Sequence, residues 1–78
     1  MTPPPVGTLI STDRRMYLYK IIRFYNDGRF DMEVTHFRRG GRWMPQPWPG
    51  DPIVHRGYRW DDGNGWHIEQ YDDDPAGR

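Results

Sequence analysis

The strongest pattern along the chain is a pair of apolar and aromatic runs on either side of a short polar turn. Residues 16–25 and 29–37 are rich in aromatic and β-branched side chains, and Asn26-Asp27-Gly28 lies between them. This composition is typical of a type I turn followed by a glycine in the left-handed conformation, which closes an antiparallel hairpin. The pattern therefore predicts two long paired strands.

The turn sets a register in which Tyr25 lies opposite Arg29. Counting back from it predicts these pairs: Phe24 with Phe30, Ile22 with Met32 and Lys20 with Val34 on one face, and Arg23 with Asp31 and Tyr19 with Thr35 on the other. The first face is mainly apolar, and the second gains an opposite-charge pair that contributes about 0.2–1 kcal/mol. A one-residue slip would exchange the two faces, so the hydrophobic pattern supports this register.

A helix is the competing interpretation of the first run. Leu18, Ile21, Ile22 and Tyr25 also recur at the spacing of one helical face. The run contains no Ala, Glu or Gln and many aromatic and β-branched residues, which favour strands over helices. We therefore predict a strand.

Shorter strand signals lie before and after this hairpin. Residues 8–11 form a brief apolar segment, and Gly40-Gly41 suits a two-residue turn into a third short strand that ends at Pro45. Four prolines within residues 45–52 exclude a helix or a central strand there. This segment is predicted to be a stiff, extended loop.

A second hairpin is predicted near the carboxyl end. Residues 53–60 and 66–71 flank the turn-forming segment 61–65. The expected pairs are Trp60 with Trp66 and Tyr58 with Ile68. The whole pattern predicts an all-β fold, a small antiparallel meander of about five strands with two main hairpins, curled into an open barrel or a strongly twisted sheet.

The size of the chain limits it to a single domain with a small core. Only 35% of its 78 residues are hydrophobic, yet 15% are aromatic, which is unlike a disordered chain. We expect a Pro-rich flexible lead at residues 1–6, the β domain at 7–71 and an acidic flexible tail at 72–78. A thin core and open sheet edges also lead us to expect a homodimer.

Cysteine usage and the amino-terminal sequence favour a cytoplasmic protein. The chain has no cysteine, its first residues lack the basic start and apolar run of a signal peptide, and no stretch approaches the length of a membrane span. Ten of the eleven cationic side chains are arginines. This bias, with abundant Gly, Pro, Asp and Trp, is what a GC-rich coding sequence tends to give and suggests a bacterial or phage origin.

Charge is balanced overall but unevenly distributed along the chain. Residues 1–45 carry eight basic and four acidic side chains, whereas residues 46–78 carry three and seven. Zero net charge argues against a general polyanion binder. The two halves either neutralise each other on the folded surface or leave a molecule with two poles.

The residues do not predict catalysis, a cofactor or a metal. The chain has three histidines, which lie in separate strand segments: His36, His55 and His67. None of the usual nucleophile, phosphate-loop or zinc spacings occurs. A metal between the last two histidines and Asp61 or Asp62 is the weaker alternative, and Asp72, Asp73 and Asp74 lack the rigid oxygen cage that hard cations require.

An arginine cluster, consisting of Arg38, Arg39 and Arg42, is the best candidate for a functional patch. The Gly-Gly turn would place two of these arginines directly opposite each other, which is destabilising. The guanidinium groups either splay into water, are neutralised by acids such as Glu33 or Asp51, or await an anionic partner. Arg14 and Arg15 would enlarge the cluster if the strand order brings their turn alongside.

Aromatic side chains form the second candidate surface. In the predicted register Tyr17, Tyr19 and Phe37 fall on the face opposite the apolar one, which consists of Leu18, Ile22, Phe24, Phe30, Met32 and Val34. Either the sheet closes or the Pro-rich loop folds over this second face, with Trp48 as a lid, or an exposed aromatic strip results. Such strips mark binding surfaces.

These features predict a non-enzymatic binding or accessory protein that engages a larger protein partner. Aromatic and arginine side chains are those favoured in interface hot spots. The predicted surface comprises Tyr17, Tyr19, Phe37, Arg38, Arg39, Arg42, Trp43 and Trp48. The alternatives are a single-stranded nucleic-acid-binding module, which uses the arginine cluster and exposed rings, and a self-associating structural subunit.

Overall fold

The computed structural model describes residues 2–70, and every regular element among them is a strand. The elements are β1 (Leu9–Ser11), β2 (Tyr17–Phe24), β3 (Phe30–Arg39), β4 (Arg42–Pro45), β5 (Val54–Tyr58) and β6 (His67–Ile68). They form one antiparallel, open sheet in the order β4-β3-β2-β1-β6, and β5 also pairs with β3. The predicted all-β class is confirmed, with six strands in place of about five.

The first hairpin closes as its turn composition predicts. The Tyr25 amide donates to the Arg29 carbonyl at 2.8 Å, and the Gly28 amide donates to the Tyr25 carbonyl at 3.0 Å. Gly28 has a φ of 90°, which favours glycine at this position. The first two predicted pairs are confirmed: Phe24 with Phe30 and Arg23 with Asp31.

Two β-bulges then shift the register between β2 and β3. Ile22 is an extra residue on β2, and Thr35 is an extra residue on β3. The observed pairs are Ile21 with Met32, Lys20 with Glu33, Tyr19 with Val34, Leu18 with His36 and Tyr17 with Phe37. The predicted pairs Ile22 with Met32, Lys20 with Val34 and Tyr19 with Thr35 are therefore wrong, because regular counting contains no bulge.

The bulges also move the aromatic residues to the other face. Each extra residue reverses the alternation of side chains beyond it. Tyr19 and Ile21 are consequently buried in the same cluster as Met32, and Tyr17 packs against that cluster. The prediction that Tyr17, Tyr19 and Phe37 lie opposite the apolar face is wrong for this reason.

The two strands of the second predicted hairpin pair with different partners. β5 pairs with β3, with Tyr58 opposite Phe30, and β6 pairs with β1, with Ile68 opposite Ile10. The predicted pairing of Tyr58 with Ile68 is wrong, because each strand covers a different open edge of the central strands. Trp60 and Trp66 still meet as stacked rings with centroids 6.0 Å apart.

The core is a small cluster of apolar side chains, and Leu18 is fully buried outside that cluster. The buried members of the cluster are Ile10, Tyr19, Ile21, Phe30, Met32 and Val34, and the rings that pack against them are Tyr17, Phe24, Tyr58, Trp60 and Trp66. Large rings thus substitute for numerous aliphatic side chains in a chain this short. In the described part of the chain, no helix is long and apolar enough to cross a membrane.

A buried carboxylate joins β5 to the first hairpin. Asp31 is fully buried and accepts hydrogen bonds from the Tyr25 hydroxyl at 2.8 Å and the Gly57 amide at 2.9 Å. The guanidinium groups of Arg56 and Arg23 lie 3.4 and 3.6 Å from its Oδ2 atom. Gly57 has a φ of 76°, which turns its amide toward this carboxylate at a shift in the β3–β5 register.

The Pro-rich segment leaves the sheet and rejoins it beside two neighbouring residues of β3. The Gln46 amide donates to the Thr35 carbonyl at 3.2 Å, and the Val34 amide donates to the Ile53 carbonyl at 2.9 Å. β4 and β5 therefore follow the same edge of β3, one after the other. The residues between them, 47–52, form a short loop held at both ends.

Candidate functional site

A hollow on the surface lies beneath the Pro-rich loop. It has a volume of about 460 Å³ and is lined mainly by apolar and aromatic side chains. The lining residues are Tyr17, Tyr19, Val34, Trp48, Ile53 and His55. We call this hollow the apolar pocket, and its size is within the range of ligand-binding pockets.

The loop forms one wall of the apolar pocket through Trp48. The indole lies with its centroid 6.5 Å from the ring of Tyr17 and 6.0 Å from the ring of Phe37. The Trp48 amide donates to the Gln46 side chain at 2.9 Å, which helps to orient the tryptophan. Trp48 remains 44% exposed, so it presents ring surface to solvent while it covers the other two rings.

A second hollow adjoins the apolar pocket and is bordered by arginines. It measures about 320 Å³ and is lined by Arg14, Arg15, Met16, Tyr17, Phe37, Arg38 and Trp48. We call it the arginine hollow. Tyr17 and Trp48 line both hollows, so the two form one continuous surface, which we call the groove.

Backbone pairing brings the arginines of the hollow together. The Arg38 amide donates to the Met16 carbonyl at 2.9 Å, which holds the end of β3 beside the turn before β2. In that turn the Arg15 amide donates to the Thr12 carbonyl at 2.9 Å, and Arg15 has a φ of 51°. The strand order thus places Arg14 and Arg15 beside Arg38.

The rest of the arginine cluster continues along the hairpin of β3 and β4. Arg39 lies opposite Arg42 across Gly40-Gly41, whose positive φ angles match the predicted two-residue turn. The Arg38 guanidinium lies 5.1 Å from the centre of the Trp43 ring. All three arginines of the cluster are exposed.

Acidic neutralisation of the cluster is not observed among residues 2–70. The ion pairs there engage Arg15, Arg23, Arg29, Arg56 and Arg59. Neither Glu33 nor Asp51 takes part in one, although both were candidates for this role. The cluster therefore keeps its positive charge within the described part of the chain.

The structure brings together most, but not all, of the predicted surface. Tyr17, Tyr19 and Trp48 line the apolar pocket, and Phe37 and Arg38 line the arginine hollow. The other three, Arg39, Arg42 and Trp43, extend along the hairpin and do not line either hollow. Sequence reasoning missed Val34, Ile53 and His55 as lining residues, although an Ile-Val-His run directly after the loop marks the return of the chain to the sheet.

Two titratable side chains of the apolar pocket, Tyr19 and His55, are in direct contact. Their rings meet edge to face with centroids 5.6 Å apart. Burial, followed by repulsion from the neighbouring Tyr58 and Tyr17 phenolates, raises the pKa of the Tyr19 phenol. Tyr19 is therefore neutral at physiological pH and contributes to an apolar wall.

The histidines are distributed over separate environments. His55 lies in the apolar pocket, and the His67 Nε2 atom lies 2.8 Å from Asp13 Oδ1. Within residues 2–70 no three His, Asp or Glu side chains are grouped as metal ligands would be. Asp72, Asp73 and Asp74, for which the sequence predicted no cation site, lie outside the described residues.

Comparison with known proteins identifies no matching family model, no similar curated protein and no similar solved structure. A fold alone does not determine a function. The function must therefore be inferred from the groove and the charges around it.

Proposed function

We propose that this chain is a non-enzymatic binding protein that engages a larger protein partner through the groove. The observation that carries the proposal is the continuity of the apolar pocket with the arginine hollow, through Tyr17 and Trp48. One surface thus combines a concave apolar anchor site with a positively charged border. This combination is typical of protein interfaces with a desolvated centre and a polar rim.

The properties of the pocket support a protein side chain as its occupant. The pocket is about 460 Å³ in volume, enough to receive one or two large apolar side chains, and its walls are rings and aliphatic groups. The lining residues belong to β2, β3, β5 and a proline-restrained loop, so little ordering is required on binding. The arginines would then orient the partner and accelerate its association.

Capture from a host lysate with three forms of the full chain tests this proposal. The forms are the wild type, Trp48→Ala and the control Ile68→Ala, which truncates an exposed apolar side chain on the opposite edge strand. Wild type and control should retain one stoichiometric protein, and Trp48→Ala should weaken its binding by about 2 kcal/mol or more, about 30-fold. Circular dichroism confirms that each form is folded, and equal capture by all three would contradict the proposal.

Single-stranded nucleic acid is the second candidate, because the arginine hollow places rings beside guanidinium groups. Nucleic-acid binding would depend on salt, with a log–log slope of about −0.7 for each phosphate contact. Replacing Arg38, Arg39 and Arg42 with alanine would then flatten the slope by about two units. We expect no gel shift with single-stranded oligonucleotides at about 150 mM salt, where screening extends to about 8 Å. Tight oligonucleotide binding that the triple arginine variant loses would favour this candidate instead.

A further inference from the structure

The arginine hollow carries uncompensated positive charge at its border. Arg14 and Arg38 are exposed, and neither takes part in an ion pair within the described part of the chain. The third arginine of the hollow, Arg15, is paired with Glu69 at 2.8 Å. A ring contact such as that of Arg38 with Trp43 satisfies none of the N–H donors of a guanidinium group. Two guanidinium groups can therefore bind an anion.

Charge complementarity selects an acidic segment as the occupant of the hollow. Among the described residues that line the groove, none is acidic. A guanidinium group binds a carboxylate through two parallel N–H bonds, which gives both strength and orientation. A basic segment would instead be repelled by the arginines at the border.

The apolar pocket selects a bulky hydrocarbon side chain beside those carboxylates. Val34 and Ile53 supply aliphatic walls, and Tyr17, Tyr19 and Trp48 supply rings. A large apolar side chain gives up no hydrogen bond on entering such a pocket. A nucleobase has donors and acceptors along its edge, which aliphatic walls would leave unpaired. A peptide therefore fits the groove better than a nucleic-acid strand does.

The boundary between the two hollows sets the spacing of these groups. Tyr17 and Trp48 line both hollows, and their ring centroids are 6.5 Å apart. An extended peptide rises about 3.3 Å per residue, so two or three residues span about 7–10 Å. An apolar side chain and a carboxylate at this separation reach opposite sides of a boundary one ring pair wide.

We propose that the groove binds an acidic segment of its protein partner, with a large apolar side chain in the apolar pocket and carboxylates two or three residues away against Arg14 and Arg38. This assignment rests on the proposed function, because it specifies the segment that the partner presents. Arg39 and Arg42 lie outside both hollows and make no contact with the segment.

Synthetic peptides with blocked termini test the proposal on the ¹⁵N-labelled full chain. The acidic peptide is Gly-Asp-Asp-Gly-Phe-Gly-Asp-Asp-Gly, which places acids two and three residues from phenylalanine on both sides, so either chain direction presents them. The amide peptide has Asn in place of every Asp, and the anchorless peptide has Ala in place of Phe. The signals to follow are the Trp48 indole N–H and the amides of Ile53 and Arg38.

At low salt the acidic peptide should shift these signals and bind about tenfold more tightly than the amide peptide. The anchorless peptide should also bind more weakly than the acidic one. The double variant Arg14→Gln, Arg38→Gln should lose the preference for the acidic peptide. The matched control Arg39→Gln, Arg42→Gln has the same net charge and should retain it. Circular dichroism confirms that both variants are folded.

Equal affinity of the wild type for the acidic and amide peptides would overturn the proposal, and so would groove signals that the acidic peptide leaves unmoved at millimolar concentration. Equal loss of the preference in both double variants would assign it to general charge attraction and overturn the proposal as well. So would tighter binding of oligothymidylate to the groove, because it would assign the hollow to phosphates. Capture of the natural partner from a lysate uses none of these peptides, so the two proposals fail separately.

Discussion

The apolar nature of the groove depends on the protonation state of single side chains. Tyr19 is the clearest case, because it is a tyrosine buried among other rings at the boundary between the core and the apolar pocket. Its phenol is neutral there, and ionising it would place a charge beside Val34 and the ring of His55. Ionisation of Tyr19 therefore changes the apolar nature of the pocket only at strongly alkaline pH.

Tyr19 predicts a loss of stability at alkaline pH. Its pKa is raised in the folded state above the unfolded value of about 10, so the folded chain holds the proton more tightly. The resulting stabilisation is fully present below pH 10 and is lost as the pH rises through the folded pKa. Urea unfolding between pH 8 and 11 should show a steeper decline for the wild type than for Tyr19→Phe, and parallel curves would contradict this explanation.

At the scale of elements, turn chemistry was predictable from the sequence and bulges were not. Asn26-Asp27-Gly28 and Gly40-Gly41 have the residue types that their turns require, so both hairpin turns were predicted correctly. Ile22 and Thr35 are ordinary strand residues, and nothing in their type marks them as extra residues in the ladder. The faces of Tyr17 and Phe37 were therefore predicted incorrectly, although both residues had been named as site candidates.

The partners of β5 and β6 could not be predicted from the sequence, for a different reason. The segment 61–65 has the composition of a hairpin turn, and the two tryptophans that flank it do stack. Which edge each strand joins depends on the edges left open by β1 and β3, a property of the assembled sheet. Local patterns contain no information about it.

Asp31 connects β5 to the first hairpin, and its replacement tests the importance of that connection. Asp31→Asn removes the charge that Arg56 and Arg23 face and leaves an amide group among hydrogen-bond donors. We expect a loss of about 1–3 kcal/mol in the free energy of unfolding, measured by urea denaturation. The matched control is Asp27→Asn, an exposed carboxylate of the same hairpin, which should cost much less; equal losses would contradict the structural role of Asp31.

For the whole molecule, the distribution of charge is the feature that connects sequence to function. The sequence has its basic excess in residues 1–45, and the fold gathers part of that excess around one end of an aromatic groove. The expected homodimer stays a prediction, which light scattering across a dilution series would test. We propose that the groove, and not a sheet edge, is the surface that binds a protein.

Chemical-shift mapping of the ¹⁵N-labelled full chain with its captured partner tests whether the groove is the binding surface. The signals of Tyr17, Trp48 and Ile53 should shift or broaden at stoichiometric partner, because these residues line the apolar pocket. The signals of Ile68 and its neighbours on β6 should remain unchanged, because β6 lies at the opposite edge of the sheet. The reverse result, with an unperturbed groove and shifts confined to β6, would show that the partner binds the sheet edge and not the groove.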